Sequence, residues 1–125
     1  MTDRPLNRCR ILVVEDEYLL ADEIAMELED QGAVVLGPAP SVVEALALLE
    51  RVATPDGALL DFNLGGEPAA PVADALIGRG VPVVFTTGYD ADALPERFAA
   101  IPRCEKPISI GRVTAALRHA MHADA

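Results

Sequence analysis

Four short apolar runs constrain this chain more than any other feature: ILVV (11–14), AVVLG (33–37), GALL (57–60) and VPVVFT (81–86). Each has the length and β-branched richness of a strand. None alternates apolar with polar residues, so none has a wet face, and strands covered on both sides are the mark of a parallel sheet. Stretches of helical period lie between them. Leu20, Ile24 and Leu28 repeat up to Gly32, and Val42, Ala45, Leu46 and Leu49 follow a capping box of Ser41 and Glu44. A third helix is predicted to open near Pro71, to turn Val72, Ala75 and Leu76 inward and to stop at the GRG of 78–80. A last helix, capped by Ser109, repeats at Ile110, Val113, Leu117 and Met121.

Residues 90–102 are less regular. Pro95 can open a helix but not sit inside one, so only a short helix over about 95–99 is predicted there, followed by a weak fifth strand at 103–105. Strand and helix thus alternate through the chain, which predicts a doubly wound α/β sheet with right-handed crossovers and a shortened, irregular fourth helix. At 125 residues, 51% of them hydrophobic, the chain can bury one core and is expected to form one domain. A net charge of -10 opposes nucleic-acid binding, and no apolar run is long enough to cross a membrane. MTDRPLN at the start has no signal-peptide core, so a cytoplasmic protein is expected. Cys9 and Cys104 lack metal-ligand spacing and read as small buried hydrophobes.

In a doubly wound sheet, ligands bind beyond the carboxyl ends of the strands. The candidates there are Glu15, Asp16 and Glu17 after the first strand, and Asp61 and Asn63 after the third. Thr86, Thr87 and Gly88 follow the fourth, and Lys106 with Pro107 the fifth. Two carboxylates about 5 Å apart repel by roughly 3 kcal/mol at an effective dielectric near 20. A site gathering Glu15, Asp16 and Asp61 must therefore raise their pKa values or hold a cation. Donors that are all oxygen suit Mg²⁺ or Mn²⁺. Such an ion beside one carboxylate can clamp an incoming phosphoryl group and leave the carboxylate free as nucleophile. Lys106 could pair with the phosphoryl oxygens and Thr87 could donate a hydrogen bond to one, so a phosphoryl-accepting site is expected.

The acidic pair of VVEDE, the Asp of ALLDFNLGGE, the Thr of VVFTTGYD and the KP of CEKPI stand in an order and spacing that resembles the receiver domain of two-component response regulators. The likeness runs from about Arg10 to His119. It implies a flavodoxin-like sheet of order 2-1-3-4-5, with Asp61 as phosphoacceptor for a histidine kinase or histidine phosphotransfer protein. It further implies Mg²⁺ held by Asp16 and Asp61, by Glu15 through water and by the backbone carbonyl of Asn63. Thr87 would be the switch hydroxyl and Lys106 the phosphoryl-pairing lysine, with Thr86 one residue early for that role.

The chain also departs from the family pattern. Arg103 stands where many receivers place a switching aromatic, and Ile108 where Phe often follows the KP. PVVFTTGYD is similar to the subset with a Phe-x-Thr-Gly-Tyr motif, called FATGUY, which implies a kinase of the HWE type and makes Tyr89 the aromatic candidate for sensing the phosphoryl state. The expected output is protein binding through residues 89–101, the fifth strand and the last helix, a face that could also dimerise. Glu17 reads as a solvated first-turn carboxylate, Gly65 and Gly66 as loop-forming, and His119 and His122 as exposed. Two other functions compete: a receiver-fold interaction module that works without phosphorylation, and a phosphohydrolase of the haloacid dehalogenase type. The latter wants a second Asp where this chain has Asn63.

Overall fold

The computed structural model describes residues 6–88 and 94–122. Its strands and helices run in the order β1 (Arg10–Val14), α1 (Tyr18–Asp30), β2 (Val34–Ala39), α2 (Val42–Arg51), β3 (Gly57–Asp61), β4 (Asn63–Leu64), β5 (Glu67–Pro68), α3 (Ala70–Gly78), β6 (Val83–Thr87), β7 (Arg103–Glu105) and α4 (Ile110–His122). Five strands form one parallel sheet of order β2-β1-β3-β6-β7. With β6 and β7 as the fourth and fifth sheet strands, this is the flavodoxin-like order expected.

In β1, β3 and β6 the two-faced burial follows residue by residue, whereas β2, at the sheet edge, departs from it, with Val34 exposed. Leu12, Val14, Ala58, Leu60, Val83 and Phe85 point to a core shared with Val42, Ala45 and Leu49 of α2 and Val72, Ala73 and Leu76 of α3. Their neighbours Ile11, Val13, Leu59 and Val84 point to the other face, against Ile24 and Leu28 of α1 and Val113 and Leu117 of α4. Apolar residues at successive positions are what a period-two strand needs when helices cover both sides. Ser41 Oγ accepts the Glu44 N–H at 3.2 Å, capping α2 as its sequence predicts.

Several details differ from expectation. The short fourth helix is one 3₁₀ turn, Glu96–Phe98, with Pro95 at its start. Its Phe98 is buried edge-on against Phe62 and Phe85, with ring centroids 6.1 and 5.5 Å away. Phe62 and Phe85 themselves meet at 5.5 Å, so all three phenylalanines of the chain form one cluster. The β6 strand starts at Val83, because Val81 is still tied back to Leu76 by a backbone hydrogen bond at the end of α3. A small hairpin, β4 with β5, follows β3; Gly65 and Gly66 turn it at φ of 62° and 97°. Cys9 and Cys104 are half-buried against the α1/α4 side of the core, less enclosed than expected, and both are free thiols. No described helix is long and apolar enough to cross a membrane.

Candidate functional site

The carboxyl ends of β1, β3, β6 and β7 meet at one edge of the sheet. Register puts Asp61 of β3 opposite Thr86 of β6, and Thr87 opposite Glu105 of β7. Glu15 and Asp16 leave β1 beside Asp61, and oxygen atoms of these three carboxylates lie within 4.8 Å of one another. Asp16 is the more open of the three, and a Cβ added at Gly65 would approach its Oδ2 to 3.4 Å, so the hairpin turn walls this side. Glu15 and Asp61 are 2% and 3% exposed, an unusual depth for carboxylates.

Lys106 answers that burial. Its Nζ donates to Asp61 Oδ2 at 2.9 Å and lies 3.2 Å from Glu15 Oε1, an ion-pair distance without the alignment of a hydrogen bond. It also donates to Glu17 Oε1 at 3.2 Å. The backbone supplies the rest: the Glu17 N–H donates to Glu15 Oε2 at 3.0 Å, and the Asn63 N–H donates to Asp61 Oδ1 at 3.1 Å. Asn63 Oδ1 in turn accepts the Gly66 N–H at 2.8 Å, bracing the hairpin.

Opposing effects set the charges. Burial raises the pKa of Glu15 to about 7, with the nearby Asp61 charge adding to the rise and the Glu17 N–H and Lys106 working against it. Asp61 is also raised, by burial, although Lys106 and the Asn63 N–H favour its ionised form. Burial would lower Lys106, but its hydrogen bond to Asp61 and the surrounding carboxylates outweigh that and hold it above the usual lysine range. The carboxylates thus carry excess negative charge that one ammonium only partly offsets, and the donor set is all oxygen, as a hard divalent cation requires.

Two clefts open on Asp61. The larger, about 840 Å³, is the more polar of the two and is lined by Asp16, Glu17, Glu23, Lys106 and both hairpin glycines among others. The smaller, about 260 Å³, is mainly apolar and runs from Asp61 past Phe62, Pro68 and Ala70 to Thr87 and Pro95. Thr87 Oγ1 is buried there with no hydrogen-bond partner among the described residues. An unpaired buried hydroxyl is costly, and here it shares a cleft with the Asp61 carboxylate.

The structure therefore brings together Glu15, Asp16, Asp61, Asn63, Thr87 and Lys106, and leaves Thr86 buried in the sheet one position away. Tyr89 lies outside the described residues. His119 and His122 are exposed, as the sequence implies, and so is Arg103. Glu17 is exposed to solvent at the start of α1, as expected, and its carboxylate also turns to Lys106, which was not expected.

No family model matches the chain. It is 33% identical over 119 residues to the phyllosphere-induced regulator PhyR of Methylorubrum extorquens, covering 89% of this chain and 43% of that protein. A response regulator receiver protein from Sinorhizobium medicae has the same fold, with a TM-score of 0.77 at 24% identity over 96% of this chain and 99% of that one. SdrG from Sphingomonas melonis superimposes with a TM-score of 0.78 at 39% identity, covering 97% of this chain and 98% of that one. The chain belongs to the response regulator receiver family. This receiver spans between 35% and 56% of the length of the curated relatives it matches. Three features of the receiver escaped its sequence: the Glu17–Lys106 pair, the hairpin after Asp61 and the phenylalanine cluster. Only the paired glycines at 65–66 hinted at any of them, since a tight turn favours positive φ.

Proposed function

We propose that this receiver takes a phosphoryl group onto Asp61 from the phosphohistidine of a kinase or phosphotransfer protein, and that the acyl phosphate switches its protein contacts. In the transfer, a carboxylate oxygen of Asp61 forms a bond to phosphorus as the P–N bond breaks, and the histidine nitrogen keeps the electron pair. Water later cleaves the acyl phosphate to restore the carboxylate and release phosphate. The chain handles its own phosphoryl group and turns over no other substrate.

Glu15, Asp16, Asp61 and the Asn63 carbonyl are the groups that would hold Mg²⁺, or Mn²⁺ in its place. The close approach of three oxygen donors and the raised pKa of Glu15 support that assignment. When bound, the ion offsets the charge of the transferring phosphoryl group. Lys106 donates to phosphoryl oxygens from where it now meets Asp61, and Thr87 Oγ1 gains in them an acceptor that it lacks among the described residues. The observation that carries the reading is the buried Thr87 hydroxyl, without a partner among the described residues, in the same cleft as a buried, lysine-paired Asp61.

Movement of Thr87 would bias residues 89–101, with Tyr89 as the sensing aromatic in the manner of the FATGUY subset. Raising an active state from about 1% to 99% takes about 5.5 kcal/mol of differential interaction, a scale that a few charge-assisted hydrogen bonds approach. The partners would be an HWE-type or other histidine kinase upstream, in the cytoplasm, and a protein docking on the 3₁₀ turn, β7 and α4 downstream, with a second copy as another occupant of that face. The test is incubation with Mg²⁺ and a small phosphodonor or beryllofluoride. An adduct in wild type that is lost in a folded Asp61→Asn variant supports the reading. A wild type that forms no adduct overturns it in favour of a phosphorylation-independent interaction module.

A further inference from the structure

Glu17 occupies the N-cap of α1, yet its side chain makes no capping hydrogen bond. Its carboxylate reaches instead to Lys106, with Oε1 3.2 Å from Nζ. An ammonium has three N–H donors. Among the described residues Lys106 has three carboxylates around it, Asp61 at 2.9 Å and Glu15 and Glu17 at 3.2 Å each. A phosphoryl group arriving on Asp61 must win the ammonium away from one of them.

The three partners are not equivalent. Glu15 and Asp61 are buried and belong to the carboxylate cluster whose charge a divalent cation would offset. Glu17 lies outside that cluster, and its side chain is 62% exposed. Once a cation is held, Glu17 is the uncompensated anion still competing for Lys106. Resting on the phosphoacceptor reading, we infer that Glu17 is a positioning residue that holds Lys106 in the unphosphorylated arrangement and so weakens the hold of this receiver on a phosphoryl group. A contact made only in one state lowers the affinity of any ligand that breaks it by the worth of that contact. For a solvent-exposed ion pair that amounts to about a two- to fivefold effect.

The experiment titrates beryllofluoride into the full chain at saturating Mg²⁺, followed by fluorine NMR, for wild type, Glu17→Gln and Glu23→Gln. Circular dichroism confirms that each variant is folded. Glu23 lines the same cleft without joining the Lys106 ion pairs, so it reports the loss of a rim charge alone. Glu17→Gln should bind about two- to fivefold more tightly than wild type while Glu23→Gln stays at the wild-type value. Unchanged or weaker binding in Glu17→Gln, or an equal gain in Glu23→Gln, overturns the inference and leaves the phosphoacceptor reading standing. A wild type that takes no beryllofluoride overturns both.

Discussion

Lys106 Nζ lies 2.9 Å from Asp61 Oδ2, although Asp61 ends β3 and Lys106 follows β7, two strands separated by β6. Neighbouring strands stand about 4.8 Å apart, so the pair bridges roughly 10 Å of sheet. A long side chain leaving the end of β7 is needed to cross that gap, and its ammonium then sits among buried carboxylates.

Replacing Lys106 with Ala should leave Glu15 and Asp61 without their cation. In the metal-free protein at neutral pH this is expected to cost about 1–3 kcal/mol, read as a shift of the urea midpoint. Added Mg²⁺ should recover part of the loss, and beryllofluoride affinity should fall by about tenfold or more.

Thr87→Val removes a buried hydroxyl that has no partner among the described residues. Since an unsatisfied polar group is itself destabilising, the free protein should be as stable as wild type or more so. Its affinity for beryllofluoride should nevertheless drop, on the order of tenfold for a hydrogen bond to a charged acceptor. A matching loss of folding stability would count against the switch role.

Glu15 is raised from 4.5 to about 7 by burial, ahead of its other influences. The folded protein therefore binds more protons than the unfolded chain between those values, and linkage makes metal-free stability fall as pH rises through that window. Glu15→Gln should flatten the slope and be the more stable protein at pH 8. Denaturation midpoints from pH 4 to 8, with and without Mg²⁺, measure both effects.

Phe98 anchors the 3₁₀ turn by packing on Phe62 and Phe85, and the Arg97 guanidinium lies 4.4 Å above its ring. Arg97 also pairs with Asp74 of α3 at 3.0 Å. Phe98→Ala should cost about 3–5 kcal/mol, while Asp74→Asn, breaking an exposed pair, should cost under about 1 kcal/mol. Urea denaturation of both variants tests that packing, not the ion pair, holds the turn. Phe62 follows Asp61 directly, so the same cluster ties the Asp61 backbone to the proposed output face.

Much of this was written locally in the chain. Apolar runs without alternation announce strands covered on both faces, and where each run stops, the polar residues that follow must stand at the sheet edge. That is why Glu15, Asp16, Asp61, Thr87 and Lys106 could be named among the residues of one edge from position, with charge chemistry and the resemblance to receivers narrowing the set. The short irregular segment around Pro95 was legible for the same reason, because proline bars a helix interior. What periodicity does not encode is distance between side chains on strands far apart in sequence. The turn of Glu17 toward Lys106, the burial of the Thr87 hydroxyl beside Asp61, the gathering of Phe62, Phe85 and Phe98, and the hairpin that walls Asp16 all depend on strand order and register. These arise only when the sheet closes its layers. By itself, then, the sequence determined which chemistry reaches the sheet edge, and the tertiary structure alone decided which groups hold one another there.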